Sequence, residues 1–254
     1  MPSTALRVIE SNARRYRHTW RASVITSFVN PVLLLAAMGI GLGSLVEGGV
    51  GDGLTYLQFL APGLLVATAM QTSAGESSFP VMAGIKWVKS YEAALATPVT
   101  VTDLLSGQVA WTMIRVLQVT LVFALVETAF GAVTLLGGMA SIVPALFTGA
   151  AFATAIAWFT ARMENDAMLA NLFRFGIVPL FLFSGTFFPI SQLPGWLQPL
   201  AVLTPLWHGV EWARDWALGS EPAWPWWGHA SFLIVVSAVG WVGAHRALDR
   251  RMIR

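Results

Sequence analysis

Between residues 22 and 46 the chain carries no Asp, Glu, Lys or Arg. The hydrocarbon layer of a bilayer is about 30 Å thick and takes roughly 20 apolar residues in helix to cross. Lipid leaves no water to satisfy backbone groups, so only helices and closed barrels span it, and a run of this length is a helix. Comparable runs lie at 54–75, 106–130, 139–160, 169–188 and 224–244, with Arg115 and Glu127 inside the third and Arg174 inside the fifth. The pattern predicts an all-α polytopic membrane protein of six transmembrane helices, folded as one domain over 1–254. Composition agrees, since 56% of residues are hydrophobic and only 11% are charged, a balance outside the range of water-soluble domains. The first run is also too long for a signal-peptide core and lacks a small-residue cleavage site.

Basic residues orient the spans. Arg7, Arg14, Arg15, Arg17 and Arg21 precede the first; Lys86 and Lys89 follow the second; Arg162 and Arg174 flank the loop after the fourth; Arg246, Arg250, Arg251 and Arg254 follow the sixth. Six crossings put all of these on one side, which the positive-inside bias makes cytoplasmic, together with both termini. Only Arg115, within a span, and Arg214, in an opposite loop, depart from the pattern. The opposite loops carry Glu47, Asp52, Glu211, Asp215 and Glu221, and Trp224, Trp226 and Trp227 are expected at the outer interface, where amphipathic rings are favoured.

Ahead of the first span, Leu6, Ile9, Ala13, Tyr16 and Trp20 recur at spacings of three and four, with arginines on the other faces. That periodicity predicts an amphipathic helix over 1–21 lying in the cytoplasmic interface, with Tyr16, Arg17 and Trp20 as its anchor to anionic headgroups. The largest cytoplasmic connection is 79–105. Its sequence KWVKSYEAALATPVTVTDLLSGQ, 86–108, predicts a short helix from Ser90 to Ala96, ended at Thr97-Pro98 because the residue before proline avoids helical geometry. Thr102 and Asp103 are expected to cap the next span. A short capped helix between two spans suits either a docking lever or a plain connector. The sequence LLSGQ at 104–108 resembles the LSGGQ of ATP-binding cassettes, but it lacks a glycine and adjoins a membrane helix. No G-x-x-x-x-G-K-[ST] phosphate loop occurs in the chain, so nucleotide hydrolysis has no home here.

The segment 183–215 is apolar yet broken. From Phe175 to Val210 no charge occurs, while prolines fall at 189, 194, 199 and 205 and glycines at 185 and 195. Each proline removes a backbone donor and crowds the preceding turn, so this is no spanning helix. A span ending at Phe188-Pro189 and a helical hairpin over 189–215 that dips into the outer leaflet and returns would reconcile both properties, if its broken backbone is buried in protein or lines a wet cavity. Within the spans, Arg115 is expected to snorkel toward the cytoplasm and Glu127 to reach outer headgroups. Gly39-x-x-x-Gly43 and the row Gly149, Ala150, Ala153, Ala157 have the spacing of close-packed helix faces. Catalysis finds little support. Ser184-Gly185 and His208 lack a G-x-S-x-G setting, and the four histidines, at 18, 208, 229 and 245, are divided between the two sides, so neither a nucleophile–base pair nor a metal centre assembles. The absence of cysteine removes disulfides and thiolate ligands as well.

The stretch LFLFSGTFFPISQLPGWLQPLAVLTPLWHGVEWAR, 180–214, resembles the hallmark C-terminal motif of type-2 ABC transporter permeases. It is most similar to the nodulation lipo-oligosaccharide exporter and daunorubicin-resistance branch. YLQFLAPGLLVATAMQTSAGE, 56–76, resembles the second helix of that branch, and YEAALATPVT, 91–100, its cytoplasmic loop. The resemblance implies a transmembrane subunit of an exporter in the plasma (inner) membrane of a bacterium, moving an amphipathic lipid, lipid-linked glycan or drug outward. Its implied partners are two copies of a separate ABC ATPase subunit, which would hold ATP and Mg²⁺, a second permease copy in a homodimer or heterodimer, and membrane lipids, with no nucleic acid. On this reading Lys89, Tyr91, Glu92, Leu95, Thr97 and Pro98 form the ATPase-docking coupling loop, and Pro189, Pro194, Trp196, Pro205 and His208 form the outer gate. An ion-gradient-driven secondary transporter of a hydrophobic compound is the alternative, but no internal repeat of the kind common in such proteins is visible.

Overall fold

Threonines at helix starts and glycines or prolines at helix ends cut this apolar chain into its elements. The computed structural model describes residues 4–42, 53–220 and 223–252. In order these form α1 (Thr4–Leu34) with a π-helical extension (Leu35–Leu42), α2 (Tyr56–Met82) with a π-helical turn (Ala83–Trp87), α3 (Ser90–Leu95), α4 (Val101–Ala129) and α5 (Leu135–Arg162). Then come α6 (Ala167–Leu172), a π-helical turn (Phe173–Ile177), α7 (Val178–Phe183), a 3₁₀ turn (Ile190–Gln192), α8 (Gln198–Val202), α9 (Pro205–Leu218) and α10 (Trp226–Met252). No strand occurs among the described residues. By length and composition α4, α5 and α10 are each able to cross a membrane, and Ala167–Phe183 is a shorter apolar helical run. The chain is therefore a multi-pass helical membrane protein.

Helices α2 and α5 form the centre. Leu60, Leu64, Leu65, Val66, Ala67 and Met70 of α2 are all fully buried, so the helix is enclosed on every face, as expected of a core helix. Helix α5 packs against α2, α4, α9 and α10, and α1 lies along α4. Small residues allow this closeness. A Cβ on Gly240 of α10 would lie 2.8 Å from the backbone nitrogen of Ala155, and one on Gly243 would lie 2.3 Å from the Trp158 ring. Ala153 and Ala157 of α5 are buried as the small-residue row requires.

Several boundaries differ from the sequence expectation, each for a local reason. Helix α1 passes through residue 21 without interruption; it has no proline before Pro31 and no glycine to stop it. Helix α2 runs on to Met82 rather than stopping at 75, because Ser73, Ser77 and Ser78 are buried inside the protein, where a polar turn can remain helical. The cap of α4 is Thr100, not Thr102: its extended backbone lets its Oγ1 accept from the Asp103 N–H at 3.1 Å, while Asp103 Oδ2 accepts from the Thr100 N–H at 3.1 Å, a reciprocal capping box. The fifth apolar run leaves the helix at Phe183 instead of 188, where Gly185 takes φ +80°. Residues 43–46 of the first run, with Gly43, Glu47, Asp52, Glu221 and Arg254, lie outside the described residues.

Candidate functional site

Two features of the chain can do mechanical work, one at each end of the bundle. At the end where α2 and α4 are joined, α3 projects as a ledge. Its lead-in residue Lys89 adopts the left-handed conformation, φ 55°, which turns the chain sharply out of α2. Tyr91 then folds back and fills the space a side chain at Gly84 would occupy, since a Cβ there would lie 2.5 Å from the ring. Tyr91 is thus buried, and that burial pushes its phenol above the ordinary tyrosine range. Of the proposed docking set, Lys89, Glu92, Thr97 and Pro98 are exposed, Leu95 is half-buried, and Tyr91 seats the ledge without being displayed. Lys89 and Glu92 pair on the surface at 3.8 Å. Sequence reasoning missed Trp87 and Val88, which are 49% and 67% exposed beside the ledge. Two large apolar side chains in a charged loop were the available signal. The loop is further braced by Lys86 and Trp87, which bond Asp166 at 3.2 and 3.1 Å.

At the opposite end, α9 folds back beside α2 and α5, with α8 leading into it. Gly209 of α9 sits where a Cβ would collide with Thr148 and come within 2.8 Å of Val66, so α9 begins partway along both central helices. From there it runs back toward the start of α5, where a Cβ on Gly137 would lie 2.7 Å from the Ala217 carbonyl. Thr204 caps the helix by accepting from the Trp207 N–H, Pro205 occupies its first turn, and Gly219 at φ +67° ends it.

The segment is held by Arg214, which sequence reasoning left in a loop. Arg214 is buried. Its Nε donates to the Phe59 carbonyl at 3.0 Å, and its Nη2 donates to the Gly185 and Thr186 carbonyls at 2.7 and 3.1 Å. The guanidinium also lies 3.7 Å from the Phe59 ring centroid and bonds Glu211 at 3.3 Å. One side chain thereby ties α2, the turn after α7 and α9 together, using the planar fork that arginine provides. Gly63 permits this approach, as a Cβ there would meet Nη2 at 3.1 Å.

Of the proposed gate residues, Trp196 and Pro194 are exposed and Pro189 and Pro205 are half-buried, whereas His208 lies inside the protein. It is fully buried, stacked 3.9 Å from Phe232, with its Nδ1 2.9 Å from Nδ1 of His229. One of these nitrogens must donate and the other accept, so the pair clips α9 to α10.

Two intramembrane charges also turn inward. Arg115, expected to snorkel, is buried between α1, α2 and α4; its Nε donates to Glu76 at 3.2 Å and its Nη1 to the Tyr16 hydroxyl at 2.6 Å. Tyr16 therefore docks on α4 instead of reaching headgroups, helped by an edge-on contact with Trp111 and the Asn12–Gln108 bond one turn away. Arg17 and Trp20, further along α1, are exposed. Glu127 does not reach outward either: it is fully buried, with neither carboxylate oxygen bonded among the described residues, and a Cβ on Gly138 would lie 3.1 Å from Oε1. Among those residues no group of three or more His, Cys, Asp or Glu could hold a metal ion.

Residues 6–217 match the family model described as ABC-2 type transporter. Nodulation protein J of Rhizobium meliloti (strain 1021) is 30% identical over 218 residues, covering 82% of this chain and 80% of that protein. The chain belongs to the ABC-2 type transporter family. Nodulation protein J of Rhizobium leguminosarum bv. viciae is 28% identical over 245 residues, 95% of this chain and 93% of that protein. Inner membrane transport permease YadH of Escherichia coli (strain K12) is 24% identical over 209 residues, 81% of this chain and 79% of that protein. The chain is accordingly the membrane permease subunit of an ABC-type exporter system, non-catalytic itself and acting with a separate ATPase.

Proposed function

We propose that this permease carries an amphipathic lipid, lipid-linked glycan or drug outward across a bacterial inner membrane, driven by two copies of a partner ATPase that bind the ATP and Mg²⁺. Two permease copies form the pathway, with six spans each and both termini in the cytoplasm. The positive-inside distribution of arginines supports this orientation. The likeness to nodulation proteins favours a lipo-oligosaccharide among the candidate substrates.

The observation that carries the reading is the α3 ledge: largely exposed, turned out of α2 at Lys89, and seated through Tyr91 on Gly84. A lever must not fold away when pushed, and a buried aromatic at its root prevents that. Lys89, Glu92, Leu95, Thr97 and Pro98, flanked by Trp87 and Val88, meet the ATPase, while Tyr91 transmits its displacement to α2. At the other end the 189–215 segment serves as a re-entrant outer gate, its α9 part packed against α2 and α5. Pro189, Pro194, Trp196 and Pro205 shape its turns, and His208 latches it to α10. Arg17 and Trp20 anchor the start of α1 at the cytoplasmic interface. ATP binding shifts the population between closed and open gate conformations, with a coupling of the usual 5- to 150-fold size.

The test is the double substitution Glu92→Lys and Pro98→Trp in the purified complex with its ATPase. Substrate transport in proteoliposomes is expected to fall at least about tenfold, while ATP hydrolysis persists and the permease's thermal unfolding is unchanged. Wild-type transport by the double variant would remove α3 from the coupling route.

A further inference from the structure

At the same end of the bundle as α3, a groove of about 780 Å³ opens between the last turns of α5 and α10. Its two halves differ sharply in chemistry. Toward the middle of the bundle it is lined by Val239 and Val242, which are 56% and 45% exposed, and by the half-buried Trp158. Toward the helix ends it is lined by Arg162, Arg246 and Arg250, all exposed. Arg246 and Arg250 stand four residues apart and so project from one face of α10. The wall of the groove is built, not incidental: Gly243 lets Trp158 press on the α10 backbone, and Arg251 closes the floor by donating to the Ala161 and Met163 carbonyls at 2.9 and 2.6 Å. One acidic side chain, Glu164, shares the rim.

We infer that this groove binds an anionic phospholipid of the inner leaflet, with an acyl chain along Val239, Val242 and Trp158 and the phosphate against Arg162, Arg246 and Arg250. Charge complementarity selects this occupant. An apolar strip continuous with a cluster of guanidinium groups matches the order of chain and headgroup in a lipid, and guanidinium forks pair with phosphate oxygens. A free phosphate would use the arginines but leave the apolar strip uncovered. The lipid would bridge α5 and α10 where no described salt bridge does. This assignment rests on the proposed orientation, which places the arginine end in the cytoplasmic leaflet.

The chain is reconstituted in nanodiscs containing a trace of headgroup-labelled phosphatidylglycerol or phosphatidylcholine, and lipid retained through detergent extraction is counted by native mass spectrometry. Wild type is expected to retain phosphatidylglycerol in preference to phosphatidylcholine. Arg246→Gln with Arg250→Gln is expected to reduce that preference at least about tenfold, from roughly fivefold per basic residue at an anionic surface. The matched neutralisation Arg7→Gln with Arg174→Gln, two exposed arginines outside both the groove and the α1 anchor, should leave it within about twofold of wild type. An unchanged preference in the groove variant, or an equal loss in both variants, overturns the proposal. So does loss of ATPase copurification in the groove variant with lipid preference intact, which would make the groove a protein contact. Because the chain has no cysteine, a single Thr97→Cys reports orientation independently. Labelling from outside the cell would sink the orientation, whereas internal labelling with unchanged lipid preference would sink the lipid site alone.

Discussion

Replacing Arg214 by methionine should loosen the folded-back segment without changing the spans, and the size of the effect can be worked from its bonds. The substitution keeps most of the apolar stem but removes three donors from the carbonyls of Phe59, Gly185 and Thr186, all in buried residues. Hydrogen bonds to a charged group contribute about 1.5–3 kcal/mol each, and a buried carbonyl left without its donor costs about 1–3 kcal/mol. We take the lower end of the second range for each of the three carbonyls, because methionine retains contact with the Phe59 ring and water can follow the vacated fork. At about 2–4 °C per kcal/mol for a chain of this size, the midpoint of thermal unfolding should fall by roughly 10 °C. Intrinsic fluorescence of the 12 tryptophans gives the readout, and Trp207 lies beside Gly185, the residue whose anchor is lost. Arg214→Lys should lie between methionine and wild type, since an ammonium cannot reproduce the fork. Glu211→Gln should cost less than about 1 kcal/mol, because that carboxylate is 24% exposed and contributes a single 3.3 Å contact. A midpoint for Arg214→Met within about 2 °C of wild type would refute the clasp. Equal losses for Glu211→Gln and Arg214→Met would assign the stability to the ion pair instead of the carbonyls.

Two further outcomes follow from the packing. His208→Leu and His229→Leu should each cost about 1–3 kcal/mol by stranding the partner nitrogen, whereas the double variant should cost less than their sum; a strictly additive cycle in chemical or thermal unfolding would dissolve the pair. Gly240→Val should destabilise by about 1–3 kcal/mol or more, because its Cβ would sit 2.8 Å from the backbone of Ala155. Gly195→Ala, with nothing within 4 Å of its Cβ, should be neutral in the same melting experiment.

Charge spacing and hydropathy made much of this protein legible in advance. Three of the six apolar runs became α4, α5 and α10, with the end of α10 extending from 244 to Met252, because a long apolar stretch has few other conformations in lipid. The short helix before Thr97-Pro98 appeared as α3, since the residue before a proline avoids helical geometry, although Pro62, Pro80 and Pro144 are carried inside α2 and α5. The prolines and glycines between 185 and 205 likewise marked a segment that could not span. Quotas of charge and breaker residues are local properties, and local properties survive folding.

The fates of Arg115, Glu127, His208 and Arg214 were not legible. Hydropathy treats each as an isolated charge or polar group, to be moved to the nearest water. Packing supplied partners to Arg115, His208 and Arg214 instead. Arg115 meets Tyr16 across 99 positions of chain, Arg214 meets Phe59 across 155, and His208 meets a histidine on the next helix. Gly63 admits Arg214, but a glycine in an apolar helix does not announce which neighbour it admits. The amino-acid sequence alone therefore determined that the chain is a helical membrane protein, with α4, α5 and α10 long and apolar enough to cross, because solvation acts residue by residue. Only the tertiary structure decided which buried polar groups become clasps, because a hydrogen bond depends on two groups and the packing that brings them together.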